Sequence, residues 1–178
     1  MLDEYYSDVK WLKSNHTKVH YFGLGFIQLV LDESTRMHFY TQELPPITSE
    51  EEVHNHRYDF TSTIMYGYLE QDIYSIIKGD THLKEMETCK EGSKATGDPV
   101  PCSVALSSTH AYYEGCQYFI SHETFHRVRA DNCITLLRRS EYKKDLAEVV
   151  RPVGAAKICP FGQKIGEERL WEIIGDML

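Results

Sequence analysis

The chain has 178 residues, 42% of them hydrophobic and 26% charged, the proportions of a globular domain rather than a disordered tail or a fibre. Nineteen Lys and Arg against 27 Asp and Glu leave a formal net charge of −8, and no basic run reaches five residues, so nucleic acid is not an expected partner. Apolar stretches stop at four or five residues, too short for a membrane span, and the polar start MLDEYYSDVKWLKSN lacks a secretory signal, so a cytoplasmic location is expected.

One domain covers the whole length, 1–178, in three parts: an N-terminal helical segment over 1–20, a β-barrel core over 21–142, and a C-terminal tail and helix over 143–178. At the start, Leu2, Tyr5, Tyr6, Val9 and Leu12 fall near helical spacing, with Asp3 as the expected N-cap. From Tyr21 the period shortens. GFIQLVLD, RMHFYT and FTSTIMYGYLEQDIYSII are rich in β-branched and aromatic residues and separated by polar clusters. A turn is expected at Gly79-Asp80, then the alternating run THLKEMETCK, then a loop over 91–101 marked by its glycines and prolines. CSVALSSTHAYY, CQYFIS and HRVRA–CITLLRR follow as strands, the last broken by a turn at Asp131-Asn132. In GEERLWEIIGDML, Leu170, Trp171, Ile174 and Leu178 form a helical stripe suited to docking on the core. Many short strands at this spacing imply an all-β sandwich or barrel with a helix at each end.

The five cysteines (Cys89, Cys102, Cys116, Cys133, Cys159) are scattered without a CxxC pair and read as small hydrophobes or incidental thiols. No phosphate-binding glycine loop, nucleophile elbow or Cys/His nucleophile pattern is present. Of nine histidines, His54 and His56 have informative spacing. Two residues apart on a strand they project to one face, and two neutral imidazoles side by side make half of a metal site or, more commonly, a pair without metal. Asp59 would be a fourth ligand only if the strand bent after Tyr58, because alternation from His56 sends it to the other face. Arg36, His38 and Tyr40 share a face of an upstream strand, where Arg36 could clamp a carboxylate or line a solvated edge. The acidic run Glu50-Glu51-Glu52 reads as a solvated loop, and His122 as a turn residue.

Two stretches resemble the cupin superfamily. His54, His56 and Gly67 fit its first motif, two histidines one residue apart with a glutamate and then a glycine downstream; Gly115 and His126 fit its second. Thr48 stands in place of the first motif's leading glycine and Phe60 in place of its glutamate, while Ser121, Glu123 and Ala130 replace the second motif's proline, glycine and asparagine. The resemblance covers about residues 20–140 and places 91–111 as an insertion or elongated hairpin. It implies a cupin-type jelly-roll β-barrel with a three-histidine metal site, His54, His56 and His126, similar to the thiol dioxygenase branch, which also lacks the glutamate.

From this resemblance a single divalent metal ion is expected, Fe(II) favoured with Zn or Ni as alternatives, and a dioxygenase reaction on a small polar or anionic molecule. Arg36 and Tyr118 are the residues expected to contact that substrate. The alternatives are a non-catalytic ligand-binding or sensor protein, or a Zn or Ni cupin with isomerase, lyase or hydrolase activity. Cupins often pair through barrel edges, and an apolar face on the C-terminal helix would suit a homodimer.

Overall fold

The computed structural model describes residues 4–44, 46, 53–88, 95–155 and 164–178. Asp3, Thr48, the acidic run 50–52, Cys89 and Cys159 lie outside these. A 3-10 turn (Glu4–Ser7) leads into α1 (Val9–Asn15), followed by β1 (Lys18–Phe22), β2 (Phe26–Val30), β3 (Thr35–Tyr40), β4 (Val53–His54), β5 (Tyr58–Tyr66), β6 (Tyr68–Glu87) and β7 (Thr96–Tyr113). After β8 (Gln117–Ile120), β9 (Phe125–Ala130), β10 (Cys133–Tyr142) and β11 (Ala147–Pro152), α2 (Glu167–Met177) ends the chain. The strands form two antiparallel sheets in a sandwich, ordered β1-β2-β3-β10-β5-β8 and β11-β4-β9-β6-β7. The expected all-β architecture with a helix at each end is therefore observed.

Alternation divides the larger sheet into two faces. Met37 and Phe39 of β3, Ile27 and Leu29 of β2, and Ile134 and Leu136 of β10 pack with Leu12 of α1 and Leu170, Trp171, Ile173 and Ile174 of α2. The opposite face, between the sheets, holds Tyr40, Tyr58, Phe60, Ile64, Tyr118 and Leu137 against Leu69 of β6. The helices thus cover the outside of a sandwich whose interior is aromatic and partly polar.

Several local expectations change. The N-terminal helix breaks at Asp8, whose carboxylate accepts from the backbone N–H groups of Lys10 (2.8 Å) and Trp11 (3.3 Å), so α1 is capped there. On α2 the buried stripe takes in Ile173 and leaves Leu178 39% exposed, since α2 ends at Met177. No turn forms at Gly79-Asp80. β6 runs through it, its register with β7 shifting between Ile77 and His82, and a Cβ at Gly79 would stand 1.9 Å from Ser103 Oγ, so glycine permits a close strand crossing there. Residues 96–101 are strand rather than loop. β7 is the edge of its sheet, where Pro99 and Pro101 can lack N–H donors without breaking a ladder on both sides. The long β6–β7 pairing is the elongated hairpin expected for 91–111, seen over its described residues. Within the segment read as tail, β11 pairs with β4 and with the far half of β6. Gly67 turns β5 into β6 at φ 76°, with Asn132 O only 2.4 Å from where a Cβ would lie.

Candidate metal centre

Two histidine-bearing segments converge between the sheets. His54 ends β4, a two-residue strand held between β11 and β9, and it pairs directly with His126 of β9. His56 follows outside regular strand, yet its ring still lies on the same side, 4.9 Å from that of His54. Asn55 faces the other way and is 1% exposed. Its amide donates to Glu148 Oε2 at 2.7 Å, its carbonyl oxygen accepts from Glu148 N–H at 2.8 Å, and its own N–H donates to Glu148 O at 3.0 Å. Lys84 in turn donates to Glu148 Oε1 at 2.6 Å. Asn55 thereby extends the ladder to β11 and fixes the His-x-His segment from behind.

The ring nitrogens of His54, His56 and His126 lie within 4.8 Å of one another, the arrangement of a cluster that could hold a metal ion. His56 Nε2 and His126 Nε2 are 2.8 Å apart, so in the absence of an ion one carries a proton and the other accepts it. Burial, first, and the neighbouring imidazoles, second, push both His56 and His126 well below the ordinary histidine pKa; Arg36 and His38 add to the effect at His56. Both are therefore neutral near pH 7, as metal ligands must be. The spacing fits an ion as well, since nitrogen ligands about 2.1 Å from a common centre and at right angles stand roughly 3 Å apart.

Where the cupin motif has a glutamate, the Phe60 ring meets His56 edge-on at 4.9 Å and lies 6.0 Å from His126. Asp59 is turned away as alternation requires. Its Oδ1 accepts from both the backbone N–H and Nδ1 of His122, each at 2.7 Å, which lowers the Asp59 pKa. The clasp links the start of β5 to the turn before His126. His122 is thus a turn residue with a defined partner, and among the described residues no carboxylate joins the three-histidine cluster.

Arg36, His38 and Tyr40 do share a face, and it is the interior one. Arg36 donates to the Tyr58 hydroxyl at 3.0 Å and lies over the Tyr58 ring at 5.4 Å, which is itself 5.4 Å from the His56 ring. Arg36 Nε is buried without a hydrogen-bond partner. Tyr118 lies in the same interior cluster as Tyr58 and Phe60. Its ring stacks on Tyr112 at 4.5 Å and meets Phe60 at 6.3 Å, and its hydroxyl is bonded to Ser62. Burial outweighs the Ser62 bond and raises its pKa above the ordinary phenol value, so it remains a neutral phenol.

Sequence reading passed over Gln71, which is fully buried on the inner face of β6. Its side-chain Nε2 lies 3.0 Å from His126 Nδ1, on the side of the ring away from His56. A signal was present: Gln71 sits between Leu69 and Ile73, a polar residue at an inward position of an otherwise alternating strand.

The chain matches no protein family and no curated protein by sequence. Among solved structures it is similar to hydroquinone 1,2-dioxygenase from Sphingomonas sp. TTNP3, crystallised with 4-hydroxybenzoate bound, at 14% identity and a TM-score of 0.33. The similarity covers 62% of this chain and 62% of that one, under two thirds of its length, and at this level carries no argument about the reaction.

Proposed function

We propose that this chain is a cupin-type mononuclear metal protein in which His54, His56 and His126 hold one divalent ion, Fe(II) favoured, for a dioxygenase reaction on a small polar or anionic molecule. The observation that carries the reading is the convergence of three imidazoles, two of them held neutral by burial, within 4.8 Å between the sheets. Imidazole is a good donor for Fe, Zn and Ni alike, and three neutral ligands leave an ion its full charge. When bound as Fe(II), such an ion supplies Lewis acidity and positions open to both O2 and a substrate.

The chain's own residues divide the remaining work. Phe60 covers the cluster with an apolar edge and limits water around the imidazoles. Arg36, held by the Tyr58 hydroxyl and with Nε unpaired, offers a guanidinium to an anionic group on the substrate. Asn55 and the Asp59–His122 clasp hold the two histidine-bearing segments in place.

Total metal analysis of wild type beside His54→Ala and His126→Ala tests the reading, with oxygen uptake on small thiols, amino acids and other anions as the second measurement. Near-stoichiometric iron in wild type, lost in both variants, is the expected result. Zinc or nickel at the same stoichiometry would move the reaction to non-oxidative chemistry. Failure of folded wild type to bind any of these ions would leave the histidines structural.

A further inference from the structure

Gln71 is a fully buried polar group beside the cluster that the proposed reaction does not use. Its Nε2 lies 3.0 Å from His126 Nδ1 while its Oε1 is buried with no hydrogen-bond partner, and a half-turn of the amide exchanges the two atoms. The rest of the interior therefore does not dictate which way the amide points. The ring proton of His126 does: an amide N–H faces Nδ1 when that nitrogen is bare, and the amide oxygen faces it when it is protonated. These two tautomers differ at the other end of the ring. Nε2, the atom 2.8 Å from His56 Nε2, has its lone pair free only when the proton is on Nδ1.

We propose that Gln71 is a positioning residue: with its amide turned by a half-rotation, the oxygen accepts from His126 Nδ1–H and holds the tautomer that presents Nε2 to a metal ion. This rests on the three-histidine reading and deepens it. β6 supplies the lever: Ile73 pairs with His126 and Gln71 with Val128, so the amide reaches the ring diagonally along the inner face. Both groups are at most 3% exposed, and water does not compete for the bond. A hydrogen bond to the distal nitrogen also fixes ring orientation and raises the basicity of the ligating one.

Zinc affinity by chelator competition and long-range 1H–15N spectra of the imidazoles test this in wild type, Gln71→Met, Gln71→Glu and His126→Ala. Gln71→Met keeps length and volume without an acceptor, and zinc binding is expected to weaken about 10- to 100-fold. Gln71→Glu keeps an acceptor and is expected to stay within about threefold of wild type by the same reasoning. In metal-free wild type, His126 is expected to carry its proton on Nδ1, a readout that requires no variant to fold. Wild-type affinity in Gln71→Met, an equal loss in Gln71→Glu, or an Nε2–H tautomer in wild type would each overturn the role of Gln71. Zinc binding unaffected by His126→Ala would instead overturn the three-histidine reading itself.

Discussion

On β3 the side chains alternate between two unlike regions. Met37 and Phe39, both 0% exposed, enter an apolar layer roofed by α1 and α2. Arg36, His38 and Tyr40 enter the space between the sheets, where imidazoles, phenols and a guanidinium lie among apolar rings. A small domain usually places its main apolar core where its sheets face one another. In this chain the helices add a second apolar layer on the outside of the larger sheet. Stability drawn from that layer lets the interior keep polar groups whose burial is unfavourable unless they are paired.

The strongest way to break this division is Phe39→Ala. Removing a fully buried phenylalanine is expected to lower unfolding free energy by about 3–5 kcal/mol, measured by urea titration. Under conditions where the variant is still folded, its metal content per folded molecule should equal that of wild type. His126→Ala should do the reverse, abolishing metal binding at a smaller cost in metal-free stability, about 1–3 kcal/mol for the buried partners it leaves unpaired. A Phe39→Ala protein that folds but no longer binds metal would show that the two regions are one unit.

Asn55→Ala tests the support behind the site, with a smaller expected effect. Losing the buried amide leaves Glu148 without the N–H that Asn55 donates and its own backbone N–H without an acceptor. A cost of about 1–3 kcal/mol is expected from such unpaired groups. Metal affinity should fall as well, since His54 and His56 flank the residue that ties their segment to β11. Unchanged affinity at reduced stability would assign Asn55 to the fold alone.

How much of this was readable in advance depends on sequence separation. The common face of His54 and His56, the turn at Asp131-Asn132, and the alternation that sends Asp59 outward are all local consequences of a two-residue period. The shared face of Arg36, His38 and Tyr40 was equally local, though its direction inward was not. The Asn55–Glu148 contact spans 93 residues and leaves no trace in either local pattern. β11 was missed because AEVVRP is a six-residue run with one Val-Val pair, too short to announce a strand without its partners. Gly97, Pro99 and Pro101 concealed the first turn's worth of β7, because their usual meaning gives way at a sheet edge. The contacts of Tyr118 with Ser62, Tyr112 and Phe60 are likewise nonlocal and leave no sequence trace.

The least costly perturbation of the interior is a change of pH, and it distinguishes the two regions without altering their packing. Burial, assisted by Arg36 and His20, lowers the His38 pKa from 6.5 to about 3. The ring is neutral and its Nε2 lies 3.1 Å from the Gln28 amide. Above pH 6.5 neither the folded nor the unfolded chain protonates this group appreciably, and it leaves stability independent of pH. As pH falls from 6.5 toward 3, the unfolded chain takes up a proton that the folded chain refuses. Stability then falls by about 1.4 kcal/mol per pH unit for this one histidine. His56 and His126 are shifted in the same direction, so metal-free wild type should lose stability more steeply than one group allows. Urea titrations of metal-free protein at pH 7.5, 6.0 and 5.0 would measure the slope, and His38→Gln should reduce it by one proton's worth below pH 6. The apolar layer under α1 and α2 contributes no such titration, so Phe39→Ala should shift the whole curve downward and leave its slope unchanged. Equal slopes in wild type and His38→Gln would mean that His38 is protonated in the folded protein, and that the interior is wetter than its burial implies.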